Sequence, residues 1–295
     1  MTIIIQTIFK KLKKRKTETG IFVISLIILN ILLIAHIIQL KQDKNLLQIY
    51  FLSVGQGDSE LIILPGGAKI LIDGGPSNKK VLQELSKILS PFDRKIDLIS
   101  TSHPQQDHIG GLPEIIERFK TSALISNGVE NTIGAYKALN ETTEKHKLQN
   151  ITLAQGDKIK YKDSRITVVH PTHKTVEKDV NESSLVLLLE SASTTTLFTG
   201  DISKSIEKNL TRFGLVNEID ILKIAHHGSK NSSDKTFLKQ TSPKIAVIEV
   251  GKNSYGHPAS VTLKNLEALR TKIYNTNTQG TIKITSNGKS LKIYK

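Results

Sequence analysis

Residues 101–111 read TSHPQQDHIGG. Two histidines and an aspartate, His103, Asp107 and His108, lie within six residues, and a Gly-Gly pair follows. Imidazoles and a carboxylate crowded into one short loop suit a borderline divalent metal such as zinc or manganese. Other acids and histidines close apolar runs. Asp73 follows KILI, Asp201 follows TLFTG, His226 and His227 follow ILKIA, and His257 stands in YGHP after KIAVIEV. Taken singly, an Asp-Gly-Gly is a turn and a lone histidine is satisfied or solvated; His146, His170 and His173 are read that way. Recurrence at strand ends is different, because such loops are where a rigid scaffold presents chemistry. There is no cysteine, which excludes disulfide partners, thiolate zinc sites and cysteine nucleophiles.

The elements that must position these residues alternate between strands and helices. LLQIYFLSV (46–54) is a β-rich run, and ELIILPGGAKILIDGG (60–75) reads as a hairpin turned by Pro-Gly-Gly. Helical spacing covers 79–89, and a short buried strand, 96–101, ends just before His103. A helix begins with proline at 113–120. Strands are expected at 166–170, 184–190 and 194–201, then an amphipathic helix at 202–214 with a glycine stop. Strands follow at 220–227 and 244–251, then a helix at 260–270. A hairpin with a Ser-Asn-Gly-Lys turn closes the chain at 280–294. Many apolar strands with scattered helices predict sheets covered by helices on their outer faces. Residues 46–295 read as one domain.

HPQQDH is a variant of the His-x-His-x-Asp-His motif of the metallo-β-lactamase fold. The whole of 47–295 resembles the hydrolase domain of the ComEC competence proteins. The blocks that carry the likeness run in order: FLSVGQGDSELIILPGGAKILIDGG, STSHPQQDHIGGL, NESSLVLLLE, LFTGD, LKIAHHGS, YGHP and GTIKITSNGK. The multi-helix channel of those proteins is absent from this sequence.

The resemblance implies an αββα four-layer sandwich with a metal site at one edge, holding one or two ions of zinc or manganese. His103 would bind at a first position, Asp107 and His108 at a second. Asp201 would bridge, and His257 would complete the second position. His226 would be a further ligand or the proton donor to the leaving group, making Asp107, Asp201 and His226 the catalytic set. His227 would point into the structure. Asp58 and Asp73 would orient histidine ring N–H groups. Two departures stand out. Gln105 replaces the motif's middle histidine, and Asn181 or Ser183 stands where the fold's further ligand histidine falls.

The implied reaction is hydrolysis at a metal-activated water. A net charge of +14 favours polyanionic partners, and the resemblance points to a phosphodiesterase or nuclease acting on nucleic acid, with DNA the expected substrate. A small-molecule or envelope ester and a tethered non-catalytic DNA- or partner-binding module are the alternatives. With 8 Phe, 6 Tyr and no Trp, base-stacking platforms are not obvious in the sequence.

GIFVISLIILNILLIAHIIQL, 20–40, carries no Asp, Glu, Lys or Arg. Its length predicts a transmembrane anchor preceding the fold, and it exceeds the apolar core of a cleaved signal peptide. Six Lys/Arg in 10–16 precede it. The positive-inside rule then predicts a cytoplasmic basic N-terminus at 1–19, a linker at 41–45 and an outward-facing, extracellular domain in a single-pass cell-membrane protein.

Overall fold

The computed structural model describes residues 19–34, 45–172 and 179–295. The chain divides into two units, Met1–Asn45 and Leu46–Lys295. In the first, residues 19–34 form a helix (α1) whose apolar side chains are exposed, Ile21 and Phe22 among them.

The expected transmembrane span is corrected here. Among the described residues no helix is long and apolar enough to cross a membrane. The membrane anchor, the single-pass topology and the outward-facing placement that rested on that span fall with it. Residues 1–18 and 35–44, which hold the rest of the expected basic N-terminus, span and linker, lie outside the described residues, as does His173.

The second unit is built from fifteen described strands. Its first half runs β1 (Leu47–Phe51), β2 (Glu60–Ile63), β3 (Lys69–Ile72), α2 (Lys80–Ile88), β4 (Leu98–Ser100), α3 (Gln106–Ile109), α4 (Leu112–Arg118), β5 (Ala123–Ser126), α5 (Gly134–Lys145), β6 (Gln149–Thr152) and β7 (Lys158–Tyr161). The second half runs β8 (Ser164–His170), β9 (Val186–Ser191), β10 (Thr194–Phe198), α6 (Lys204–Arg212), β11 (Ile221–Lys223), α7 (Lys235–Thr241), β12 (Ile245–Ile248), α8 (Ser260–Ala268), β13 (Lys272–Asn275), α9 (Thr276–Gln279), β14 (Ile282–Ser286) and β15 (Leu291–Tyr294).

The strands form two sheets, ordered β15-β14-β1-β2-β3-β4-β5-β6 and β13-β12-β11-β10-β9-β8-β7. Their facing sides close on Ile49, Phe51, Ile62, Ile72, Phe198, Ile245 and Val247, with the Phe51 and Phe198 rings 6.2 Å apart. On the outer face of the first sheet, Leu61, Leu71 and Ile99 pack with Val81 and Leu85 of α2, Ile115 of α4 and Leu139 of α5. On the outer face of the second, Leu197, Leu222 and Ala246 pack with Ile206 of α6, Phe237 of α7 and Leu266 of α8. This is the expected αββα sandwich. Alternate side chains of each strand serve opposite faces, so one sheet feeds two apolar layers.

Parallel pairing positions the chemistry. β3, β4, β5 and β6 run parallel in one sheet, and β10, β11, β12 and β13 run parallel in the other. Asp73 follows β3, His103 follows β4, Asp201 follows β10, the two adjacent histidines follow β11 and Glu249 follows β12. Open α/β sheets bind ligands beyond the carboxyl ends of their strands.

Candidate metal centre

The loop after β3 turns back at Asp73, whose φ is 54°. Its Oδ1 accepts from Ser102 N at 2.7 Å, and its Oδ2 lies 2.8 Å from His108 Nδ1. That places the His108 N–H on Asp73 and leaves Nε2 free to face Asp201 Oδ2 at 3.4 Å. Helix α3 carries Asp107 and His108. It docks tightly on the loop before β2, where a Cβ on Gly57 would come within 2.2 Å of Asp107 O. Only glycine fits there. The His103 and His108 rings are 4.1 Å apart, and His103 Nδ1 faces Ser102 Oγ at 3.0 Å and Ser184 Oγ at 3.3 Å.

Asp201 is the point of convergence. Its Oδ2 lies 3.4 Å from His108 Nε2, 3.5 Å from His227 Nε2 and 3.9 Å from His226 Nε2. His227 also reaches Asp107 Oδ2 with Nε2 at 3.3 Å, and its Nδ1 is held by Glu249 O at 2.8 Å and Asp58 Oδ1 at 3.2 Å. Among the described residues five groups gather ligand atoms within 4.8 Å of one another, and three of them include Asp201 or His227: His103, His108 and Asp201; Asp107, His108 and His227; Asp58, Asp201 and His227.

The donors fit a divalent cation. His103 Nε2, His108 Nε2 and Asp201 Oδ1 are buried with no hydrogen-bond partner, although buried polar atoms are ordinarily paired. Imidazole nitrogen and carboxylate oxygen are the ligands that such ions take.

The electrostatics follow from burial opposed by unlike charge. Burial raises the Asp201 carboxyl, but His227, His108 and Lys223 outweigh it and hold the group well below the usual carboxylate range. Burial lowers His227, yet Asp201 and Asp58 push it up to about 10. His103 moves the other way: burial, reinforced by neighbouring His108, brings it down to about 3. Asp107, at the mouth, sits below its ordinary value because the His227 hydrogen bond and the His108 charge exceed its burial cost.

The structure brings most of the expected residues together and redistributes two of them. His227, expected to point into the structure, is buried there, and its Nε2 also faces Asp107 and Asp201. His226 stands at the mouth with 31% of its side chain exposed. Both have φ of 52°, so strand alternation had already ended before them. His257 lies at the mouth as well, its ring 5.7 Å from that of His226 and outside the three ligand sets. Asp58 and Asp73 hold histidine rings. Gln105 contributes its carbonyl, which accepts from His108 N and Ile109 N. Asn181 O accepts from Ser184 N and Oγ, and Ser183 O accepts from Asn127 Nδ2. His146 pairs with Glu117 and His170 with Glu182 O.

Sequence reading missed a charged layer beneath. Lys223 is fully buried. Its ammonium pairs with Asp58, donates to Gly200 O at 3.0 Å and lies 3.7 Å from Asp201 Oδ1. Glu60 and Glu249 are buried beside it. Burial and then Asp58 push Glu60 up to about 8, and burial and then Glu60 raise Glu249. Two such carboxyls in contact share a proton. The available signal was a charge inside each apolar run: Lys223 in DILKIA, Glu60 in SELII and Glu249 in AVIEV.

Comparison with known proteins agrees with this architecture. ComE operon protein 3 of Bacillus subtilis (strain 168) is 29% identical over 253 residues, covering 80% of this chain and 32% of that protein. Recombination protein 2 of Haemophilus influenzae is 27% identical over 259 residues, covering 86% of this chain and 31% of that protein. The chain thus spans about a third of the length of these relatives. Among solved structures, Igni18, a metallo hydrolase from the archaeon Ignicoccus hospitalis, superposes with a TM-score of 0.53 at 18% identity, over 80% of this chain and 98% of that one. The model of the metallo-beta-lactamase superfamily matches residues 52–251. With that match over most of the chain and buried His/Asp clusters able to hold a metal, the chain belongs to the metallo-beta-lactamase superfamily and is a metal-dependent hydrolase, distantly related to competence-associated proteins.

Proposed function

We propose that the chain is a phosphodiesterase acting on nucleic acid, of the branch formed by the ComEC hydrolase domains. The observation that carries this reading is the convergence of His108 and His227 on Asp201, with Asp107 closing the same space. In this reading zinc or manganese would be held by Asp107, His108 and His227, with His103 and Asp201 left to take a second ion. Asp58 and Asp73 fix the rings. When bound, the ion supplies Lewis acidity toward a phosphoryl oxygen and lowers the pKa of water. Asp107, whose side chain is 31% exposed, accepts the nucleophile's proton at the mouth. His226, also at the mouth, donates one to the leaving oxygen. His257 flanks the phosphate.

A phosphodiester suits the chain's charge of +14, since lysines and arginines attract a polyanion and release its counterions. The name of the second relative, Recombination protein 2, supports a nucleic-acid substrate.

The test uses the purified full chain with manganese or zinc, single-stranded DNA and bis-p-nitrophenyl phosphate. Both substrates should be hydrolysed. Asp201→Asn should lower the rate by about 10²-fold or more, as removal of a group that fixes a catalytic charge does, with an unchanged circular dichroism spectrum. Turnover of a carboxylic ester, with DNA and the phosphodiester untouched under either metal, would replace this reading with an esterase.

A further inference from the structure

A line of rings leads from solvent to the centre. Tyr255 is 74% exposed. Its ring centre lies 5.8 Å from that of His257 at a tilt of 35°, and His257 lies 5.7 Å from His226, which faces Asp201. Of the exposed aromatic rings among the described residues, Phe22, Phe92, Phe213, Tyr255 and Tyr294, Tyr255 alone has a ring contact with a histidine at the mouth of the centre.

The loop that displays it is fixed. One side chain, Asn253, accepts from Tyr255 N at 3.0 Å and His257 N at 3.1 Å, and donates to Gly251 O and His257 O at 2.9 Å each. At the loop's start, a Cβ on Gly251 would lie 2.3 Å from Gln56 N and from Gly55 C, so this backbone is seated hard against the loop before β2. The tyrosine is therefore presented in a set place, and a planar ligand meets little ordering cost there.

One lysine lies on its own loop and another beside the backbone which that loop abuts. Lys252 is exposed in the same loop. Lys80 Nζ lies 3.3 Å from where a Cβ of Gly55 would stand, on the backbone that Gly251 abuts. An exposed ring at the mouth of a phosphodiester-cleaving centre, with lysines on its own and the adjoining loop, matches how single strands are held, with bases on aromatic faces and phosphates on basic groups. A duplex keeps its base faces stacked and offers none to such a ring.

We infer that Tyr255 is a stacking platform for a nucleobase next to the scissile phosphodiester, with Lys80 and Lys252 taking neighbouring phosphates, so that the substrate is single-stranded. This rests on the phosphodiesterase reading of the centre. Tyr255 here determines specificity and does not touch the reacting atoms.

Two esters with the same leaving group test it: thymidine 5′-(p-nitrophenyl phosphate), which carries a base, and methyl p-nitrophenyl phosphate, which does not. The full chain should prefer the first through KM. Tyr255→Ala should lower that preference by about tenfold, and Tyr255→Phe, which keeps the ring, should retain it. An unchanged preference in Tyr255→Ala overturns the inference.

A binding arm separates this from the parent reading. With metal chelated, the anisotropy of labelled dT12 is compared with that of an abasic strand of equal length. The wild type should bind dT12 about tenfold more tightly, and Tyr255→Ala should narrow the gap. If neither ester is hydrolysed but this gap appears and closes as stated, the phosphodiesterase reading fails while base stacking stands. Equal binding of the two strands by the wild type overturns the platform, whatever the turnover.

Discussion

The seam between the sheets and the polar nest at its rim are equally dry. Phe51, Phe198 and Val247 in the seam are at most 2% exposed, and so are Asp58, Glu60, Asp201, Lys223, His103, His108, His227 and Glu249 in the nest. Burial has opposite signs in the two. In the seam each apolar side chain removed from water contributes about 1.5–3 kcal/mol. In the nest each charge loses its hydration and recovers only what its neighbours return. The seam therefore stabilises the sandwich, while the nest is held in place by it. Orphaned nitrogens and oxygens of the nest are tolerable because a cation can use them. A binding centre for a metal is, in this fold, a region of deliberate energetic cost set against a large apolar one.

Four measurements break or sharpen that contrast. Phe198→Ala should cost about 3–5 kcal/mol, the usual loss for an aromatic in a closed core, read by chemical denaturation. It should leave the metal-induced rise in Tm unchanged. If metal affinity falls as well, the seam and the nest are not separable.

Lys223→Met should come next, near the lower part of the 3–5 kcal/mol range for a broken buried pair, because it strands Asp58. The double variant Lys223→Met/Asp58→Asn should recover part of the loss, since it restores charge balance. A double variant no better than the single one would show that Lys223 acts by packing alone.

Glu207 is a buried acid away from the nest. Burial, opposed by bonds from Asp234 N and Ser233 N, pushes its carboxyl up to about 7 from an ordinary value of 4.5. A carboxyl that holds its proton more tightly when folded favours the folded state at low pH. That contribution is complete below about 4.5, declines as pH rises, and is gone above about 7, a total of at most about 3 kcal/mol. Glu207→Gln should flatten this slope in Tm measured from pH 4 to 8. A slope unaltered by the substitution would place its origin elsewhere.

The smallest effect belongs to the ion itself. Manganese or zinc at about 100 times Kd should stabilise the chain by about 2.7 kcal/mol, and Asp201→Asn should shrink that gain. A gain undiminished in the variant would move the ion to another group of ligands.

Much of the positioning was legible in the sequence. Strand runs ending in Asp73, His103 and Asp201 are one-dimensional signals, since period-two alternation and abrupt polar termini follow from local geometry. The strand β6, Gln149–Thr152, was not legible, because Gln149, Asn150 and Thr152 are polar and exposed and pairing with β5 makes it a strand. The helix α5 was also unread; its Gly134 start and polar Asn140–Thr143 stretch dilute the periodic signal. The apolar stretch at 20–40 misled in the other direction. Composition reports hydrophobicity over twenty-one residues, whereas among the described residues no helix is long and apolar enough to cross a membrane.

The residue types of the centre, and their places at strand ends, were determined by the sequence alone. Tertiary structure decided which atoms meet. His226 and His227 are identical neighbours in the chain, and only the left-handed turn after β11 sends one inward to Asp107 and Asp201 and the other to the mouth. Lys223 reads as a blemish in an apolar strand until Asp58, 165 positions earlier, closes on it. Such pairings depend on two sheets packed face to face, and the energy of a buried charge depends on partners that no local stretch of sequence contains.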